Sequence, residues 1–101
     1  MSAMDVQRAS RTVVVSNPQG LHARPAHEFV KLASQFQAKI ELVKGHERVD
    51  GKSILALLTL AAGPGTELRI EAEGGDAETA LEALAELLAH NFAEDNPNNE
   101  A

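Results

Sequence analysis

A histidine, an arginine and a proline stand within four consecutive residues in the run Asn17-Pro18-Gln19-Gly20-Leu21-His22-Ala23-Arg24-Pro25-Ala26. Imidazole, with a reference pKa of about 6.5, is largely neutral near pH 7 and keeps a nucleophilic ring nitrogen. Pro25 suits the first turn of a helix, where a missing N–H costs nothing. A helix therefore opens around Ala23 to Pro25, and its first amides point back toward His22. Those amides, from Ala23 and Arg24, together with the positive end of the helix dipole make a site for an anion. The guanidinium of Arg24 adds an always-charged fork suited to phosphate oxygens. Phosphoryl transfer asks mainly for positioning and charge stabilisation. A nitrogen nucleophile beside a phosphate cradle therefore points to a histidine that carries a phosphoryl group.

A second group is Lys52-Ser53-Ile54-Leu55, in which Ser53 reads as the N-cap of a short helix. The run Ile54-Leu55-Ala56-Leu57-Leu58 is apolar almost throughout, and a two-turn helix buries only one face. Some of these side chains must then be exposed, and an apolar patch of that kind suits partner recognition. Of the other histidines, His27 lies one turn into the first helix, and His46 and His90 read as solvent-exposed. His22 and His27 are five apart with His22 off the helix, so no metal site is expected.

The elements that position these groups follow from patterning. Thr12 to Val15 is β-branched and predicts a first strand, closed by the turn cluster Ser16-Asn17-Pro18. From Ala23 to about Gln35 the apolar residues Ala26, Phe29, Val30, Ala33 and Phe36 recur at helical spacing. Ala38 to Val43 alternates and turns at Lys44-Gly45 into a short strand near Glu47 to Val49. After the apolar helix, Gly63-Pro64-Gly65 breaks the chain. Thr66 to Glu73 then alternates, with Leu68, Ile70 and Ala72 inward and Glu67, Arg69, Glu71 and Glu73 outward. Asp76 is placed to cap a last helix striped by Ala77, Leu81, Leu84, Leu88 and Phe92. The order β-α-β-β-α-β-α predicts an α+β domain, a mostly antiparallel four-stranded sheet with helices on one face. Residues 1–9 are expected to be a flexible extension, 10–92 the domain, and 93–101 a disordered acidic tail.

Composition narrows the function classes. The 101 residues make one domain, and 44% apolar content makes it globular. A net charge of −6 argues against nucleic acid, and three Phe with no Tyr or Trp leave few rings to stack on bases. That removes the alternative of a ferredoxin-like RNA-binding module. Without cysteine there is neither a disulfide framework nor a thiolate metal site. No apolar run approaches the roughly 20 residues of a membrane span, and the start has no signal-peptide core, so a soluble cytoplasmic protein is expected.

The segment Gly20-Leu21-His22-Ala23-Arg24-Pro25-Ala26 closely resembles the active-site segment of HPr, the histidine-containing phosphocarrier family of the bacterial phosphotransferase system. The likeness extends over roughly residues 10–92 in element order and implies that family's open-faced β-sandwich. It implies a phosphate on Nδ1 of His22, contacted by Arg24, with Pro25 opening the helix. It implies that Ser53 matches the serine that an ATP-dependent HPr kinase/phosphorylase modifies in some bacteria. Ile54, Leu55 and Leu58 would be the exposed anchors that dock enzyme I and enzyme IIA domains. The implied protein is a relay component that needs no cofactor and turns over no small molecule alone, and at this size it needs no partner subunit, so a monomer is expected. The alternative is a regulatory relative, nitrogen-related or in catabolite control, acting by protein binding; retention of His22 favours a working carrier. His27 stands where the family commonly has a small residue, and both the segment before Arg11 and the acidic tail are longer than usual.

Overall fold

In the computed structural model, which describes residues 7–94, seven elements follow in the order β-α-β-β-α-β-α. They are β1 (Arg8–Val14), α1 (Ala23–Ala33), β2 (Lys39–Lys44), β3 (Glu47–Asp50), α2 (Ile54–Thr59), β4 (Glu67–Glu73) and α3 (Ala77–Glu94). The strands pair antiparallel in the order β1-β4-β2-β3, so the strand latest in sequence lies between β1 and β2.

Because side chains alternate along a strand, one face of this sheet is apolar and the other charged. Ile40 pairs with Ala72 and Leu42 with Ile70, and all four are buried together with Leu68. Lys39, Glu41, Arg69, Glu71 and Glu73 occupy the opposite face. The helices cover only the apolar face, which gives an open-faced sandwich. On that side α3 packs against β1 and β4, α1 against α3, and α2 against α1 and β3. Of the predicted stripes, Ala26, Phe29 and Ala33 on α1 and Ala77, Leu81, Leu84, Leu88 and Phe92 on α3 are buried, while Val30 and, beyond the end of α1, Phe36 are partly buried against the core. Each large side chain removed from water in this way contributes about 1.5–3 kcal/mol.

Long-range polar contacts tie the loops to this core. The Lys44 Nζ donates to the Leu60 carbonyl at 2.7 Å, and the Lys52 Nζ to the Phe36 carbonyl at 2.9 Å. Leu60 is the C-cap of α2 and Phe36 lies just past α1, so each ammonium meets the negative end of a helix. Asp76 does something other than the expected capping of α3 with its side chain. Its two carboxylate oxygens accept the Gln37 and Ala38 amides, both at 2.9 Å, and fasten the start of β2 to the start of α3.

Two boundaries differ from expectation. The first strand begins at Arg8, inside the segment read as an extension, with Arg8 opposite Glu73 and Ala9 opposite Ala72. It is an edge strand, and most of its residues are exposed, so no alternation marks its first half. At the other end α3 continues through Ala93 and Glu94, inside the segment read as a tail. The remaining parts of both expected extensions, residues 1–6 and 95–101, lie outside the described residues. Among the described residues no helix is long and apolar enough to cross a membrane.

Candidate functional site

The loop from β1 to α1 is built by short-range chemistry and held from one side. Val15 is buried and exchanges hydrogen bonds with the turn before β4, its N–H to Thr66 O at 2.9 Å and its C=O from Gly65 N at 2.8 Å. Asn17 begins a turn that closes when the Gly20 N–H reaches the Asn17 carbonyl at 3.3 Å. Gly20 has φ +70°, a conformation that favours glycine, and a Cβ there would lie 2.2 Å from the Ala62 carbonyl oxygen. Next to it the buried Leu21 donates its N–H to that same Ala62 oxygen at 3.0 Å. The loop thus sits against the connector that leads from α2 to β4.

His22 follows as the N-cap of α1, with an extended backbone (φ −94°, ψ −167°). Its N–H goes to the Gly20 carbonyl at 3.0 Å, and its carbonyl accepts the Ala26 N–H at 3.1 Å, the first bond of the helix. Its side chain makes no capping hydrogen bond. Pro25 has no N–H, so the amides at the head of α1 are those of Ala23 and Arg24. The first turn contains no acidic side chain to offset the positive helix end. His22 is half-buried, whereas Ala23 and Arg24 are exposed and Pro25 is buried. This arrangement offers an imidazole, helix-head amides and a guanidinium within one turn of backbone, which is chemistry for an oxyanion.

The second predicted group lies at the head of α2. Ser53 is its N-cap, and the hydroxyl accepts the Ala56 N–H at 3.2 Å. Leu55 is 75% exposed and Leu58 37% exposed, while Ile54 is only half-exposed and Leu57 is buried. Of the three apolar anchors expected, Leu55 and Leu58 therefore stand out from the surface and Ile54 lies partly against the core. The two groups meet through backbone: α1 packs on α2, and Ala62, just beyond α2, holds Leu21. His27, His46 and His90 are all exposed. Among the described residues no group of three or more His, Cys, Asp or Glu side chains is placed to hold a metal ion.

Two features of this site escape a reading of the sequence. Asn17 looks like ordinary turn punctuation, yet its side chain is wholly buried and donates to the Gly20 carbonyl at 3.0 Å. Ala61 adopts φ +51° just after α2, and nothing about an alanine announces a left-handed residue.

The uncovered sheet face carries charge of a different kind. Arg48 bonds Glu41 at 2.8 Å and also Glu71, which in turn accepts from Arg69 at 2.8 Å. The Arg48 hydrogen bond, followed by that of Arg69, holds the Glu71 carboxyl below its ordinary range. The hydrogen bond to Glu71, and after it the one to Glu41, raises the Arg48 guanidinium. Ion pairs this exposed add little to stability.

Comparison with known proteins bears on the helix-head site. Residues 9–90 match the family model for the "PTS HPr component phosphorylation site". The chain is 45% identical over 85 residues to the phosphocarrier protein HPr of Treponema pallidum (strain Nichols), covering 84% of this chain and 97% of that one. It is similar to the crystal structure of a phosphocarrier protein HPr from Bacillus anthracis, with 45% identity, a TM-score of 0.74, and coverage of 79% of this chain and 95% of that one. It is also similar to the solution structure of Crh, the Bacillus subtilis catabolite repression HPr, at 40% identity and a TM-score of 0.60, covering 79% of this chain and 95% of that one.

Proposed function

The chain belongs to the HPr family of phosphotransferase-system phosphocarriers, and from that premise we propose that it takes a phosphoryl group from phosphorylated enzyme I onto Nδ1 of His22 and passes it to enzyme IIA domains. The observation that carries this reading is the place of His22 as N-cap of α1, without a capping bond of its own, directly before Ala23, Arg24 and Pro25.

In this reading His22 keeps its proton on Nε2, which leaves the Nδ1 lone pair for attack on phosphorus. The bond from the donor to phosphorus breaks as the Nδ1–P bond forms, and its electron pair stays on the donor. The Ala23 and Arg24 amides and the Arg24 guanidinium receive the phosphoryl oxygens. The second transfer repeats these steps with His22 as the donor. A group that both accepts and releases phosphate must be stabilised without being trapped, and exposed contacts to Arg24 serve that balance. Leu55 and Leu58, with the edge of Ile54, form the apolar ground on which the protein partners dock, one after another. The protein works as a cytoplasmic monomer and is a relay, not a stand-alone catalyst.

A regulatory reading centred on Ser53 draws on the likeness to the catabolite repression relative. There an HPr kinase/phosphorylase would add about two negative charges at the head of α2, beside the docking ground. His22 in its intact setting favours the carrier.

Intact-mass spectrometry at neutral pH after mixing the chain with enzyme I and phosphoenolpyruvate tests the proposal. One acid-labile phosphate is expected on the natural chain and none on His22→Ala, with the melting temperature of the variant little changed. Equal labelling of His22→Ala would overturn the assignment, and a folded natural chain that takes no phosphate would move the function to Ser53.

A further inference from the structure

We propose that Asn17 is a positioning residue for phosphoryl transfer at His22, acting through the carbonyl of Gly20. The inference rests on the reading of His22 as the phosphate carrier.

Asn17 is 0% exposed, an unusual place for an amide side chain in a surface loop. A buried polar group is tolerated when its hydrogen bonds are made, and the Asn17 Nδ2 donates to Gly20 O at 3.0 Å. That oxygen also accepts the backbone N–H of His22 at 3.0 Å. A carbonyl has two lone pairs, so one acceptor serves both the Asn17 side chain and the His22 main chain. The Gly20 carbonyl and the Leu21 N–H belong to a single planar peptide unit. The Leu21 end of that unit is bound to Ala62 O at 3.0 Å. Gly20 itself stands so close to that oxygen that even a Cβ would not fit. The Gly20–Leu21 peptide, one residue ahead of His22, is therefore pinned at both ends, by a backbone carbonyl at one and by a side-chain amide at the other.

Without the Asn17 amide, the carbonyl end of this peptide loses the anchor that comes from outside the loop's own main chain. Rotation of that plane changes where His22 starts, and with it the placement of the imidazole relative to the Ala23 and Arg24 amides. Leu55 and Leu58 lie on a different element and keep their exposure. Asn17 therefore governs the transfer step and not the docking step. Displacements on the order of 1 Å at a reacting group cost about a hundredfold in rate.

The test follows phosphorylation by enzyme I of the natural chain, Asn17→Ala and Asn17→Ser, each at a temperature where circular dichroism shows it folded. Asn17→Ala should lower kcat about tenfold to a hundredfold with KM for the carrier unchanged. Asn17→Ser, which keeps a short donor, should recover part of that loss. A natural kcat in folded Asn17→Ala, or a loss confined to KM, would overturn the proposal. If neither variant folds, NMR on the natural chain decides: a scalar coupling between the Asn17 side-chain nitrogen and the Gly20 carbonyl carbon supports it, and its absence in the folded protein refutes it. Failure of the underlying reading looks different, since the natural chain would then take no phosphate or His22→Ala would take it equally.

Discussion

The heads of α1 and α2 are built from similar parts and left in different states. Both begin at an N-cap residue with an extended backbone, and neither has an acidic side chain in its first turn. At α2 the Ser53 hydroxyl caps the helix by accepting the Ala56 amide. At α1 the N-cap is a histidine whose side chain makes no such bond, and proline removes one of the donors that a cap would serve. The α2 head is capped by its own side chain, whereas the α1 head sets its first amides beside an imidazole and a guanidinium, the groups that in the proposed function receive an anion. In a chain with a net charge of −6, the positive helix end and Arg24 make this a local exception to the protein's overall sign.

The contrast sharpens if substitutions at the two heads separate function from stability. Arg24→Ala should slow enzyme I-dependent phosphorylation by on the order of tenfold to a hundredfold, since it removes a charged donor to the transferring group. Because Arg24 is exposed, thermal unfolding should move by no more than about 0.5 kcal/mol. Ser53→Ala should do the opposite. It removes the cap and costs about 1 kcal/mol in urea unfolding, while the rate of phosphorylation at His22 stays that of the natural chain. A slowed transfer in folded Ser53→Ala would break the distinction between the two heads.

The far end of α2 gives a smaller effect of opposite sign. Ala61 holds φ +51°, where a Cβ is disfavoured, and it is exposed. Ala61→Gly should therefore raise the unfolding free energy by up to about 1 kcal/mol, the gain being reduced by the extra freedom of glycine in the unfolded chain. An unchanged or lowered stability would show that the connector beside Leu21 is not strained.

The smallest effect belongs to the uncovered sheet face. The folded state holds the Glu71 carboxyl below its ordinary value, chiefly through the Arg48 hydrogen bond. A depressed carboxyl stabilises the fold above the ordinary glutamate range, and this contribution is lost as pH falls through the lower folded value. Glu71→Gln should thus lower Tm slightly at neutral pH, with the difference vanishing at acid pH, and should leave phosphorylation untouched. A difference that grows on acidification would contradict the sign.

Much of this was legible from local pattern. The strict alternation of Leu68, Ile70 and Ala72 and the stripe from Ala77 to Phe92 carried β4 and α3, because each buries one face against a single neighbour. The α1 head was legible because Gly20, His22, Arg24 and Pro25 act within one turn. Contacts closed over distance were not. Asp76 reads as the cap of its own helix, yet the amides it accepts are 38 and 39 residues away. Lys44 and Lys52 look like solvated charges until the fold brings a helix end to each. The first half of β1 shows no alternation because an edge strand draws its order from the ladder to β4 and not from burial. The exposure of Ile54 was expected from the family resemblance alone, since a six-residue helix is too short for its own sequence to define a face.

The most direct test of the α1 head is NMR of the protein after phosphorylation by enzyme I. Phosphorus should be coupled to Nδ1 of His22, with the amide protons of Ala23 and Arg24 shifted downfield as they bond the phosphoryl oxygens. A phosphate found on another residue, or on His22 with both amides unmoved, would contradict that role of the α1 head.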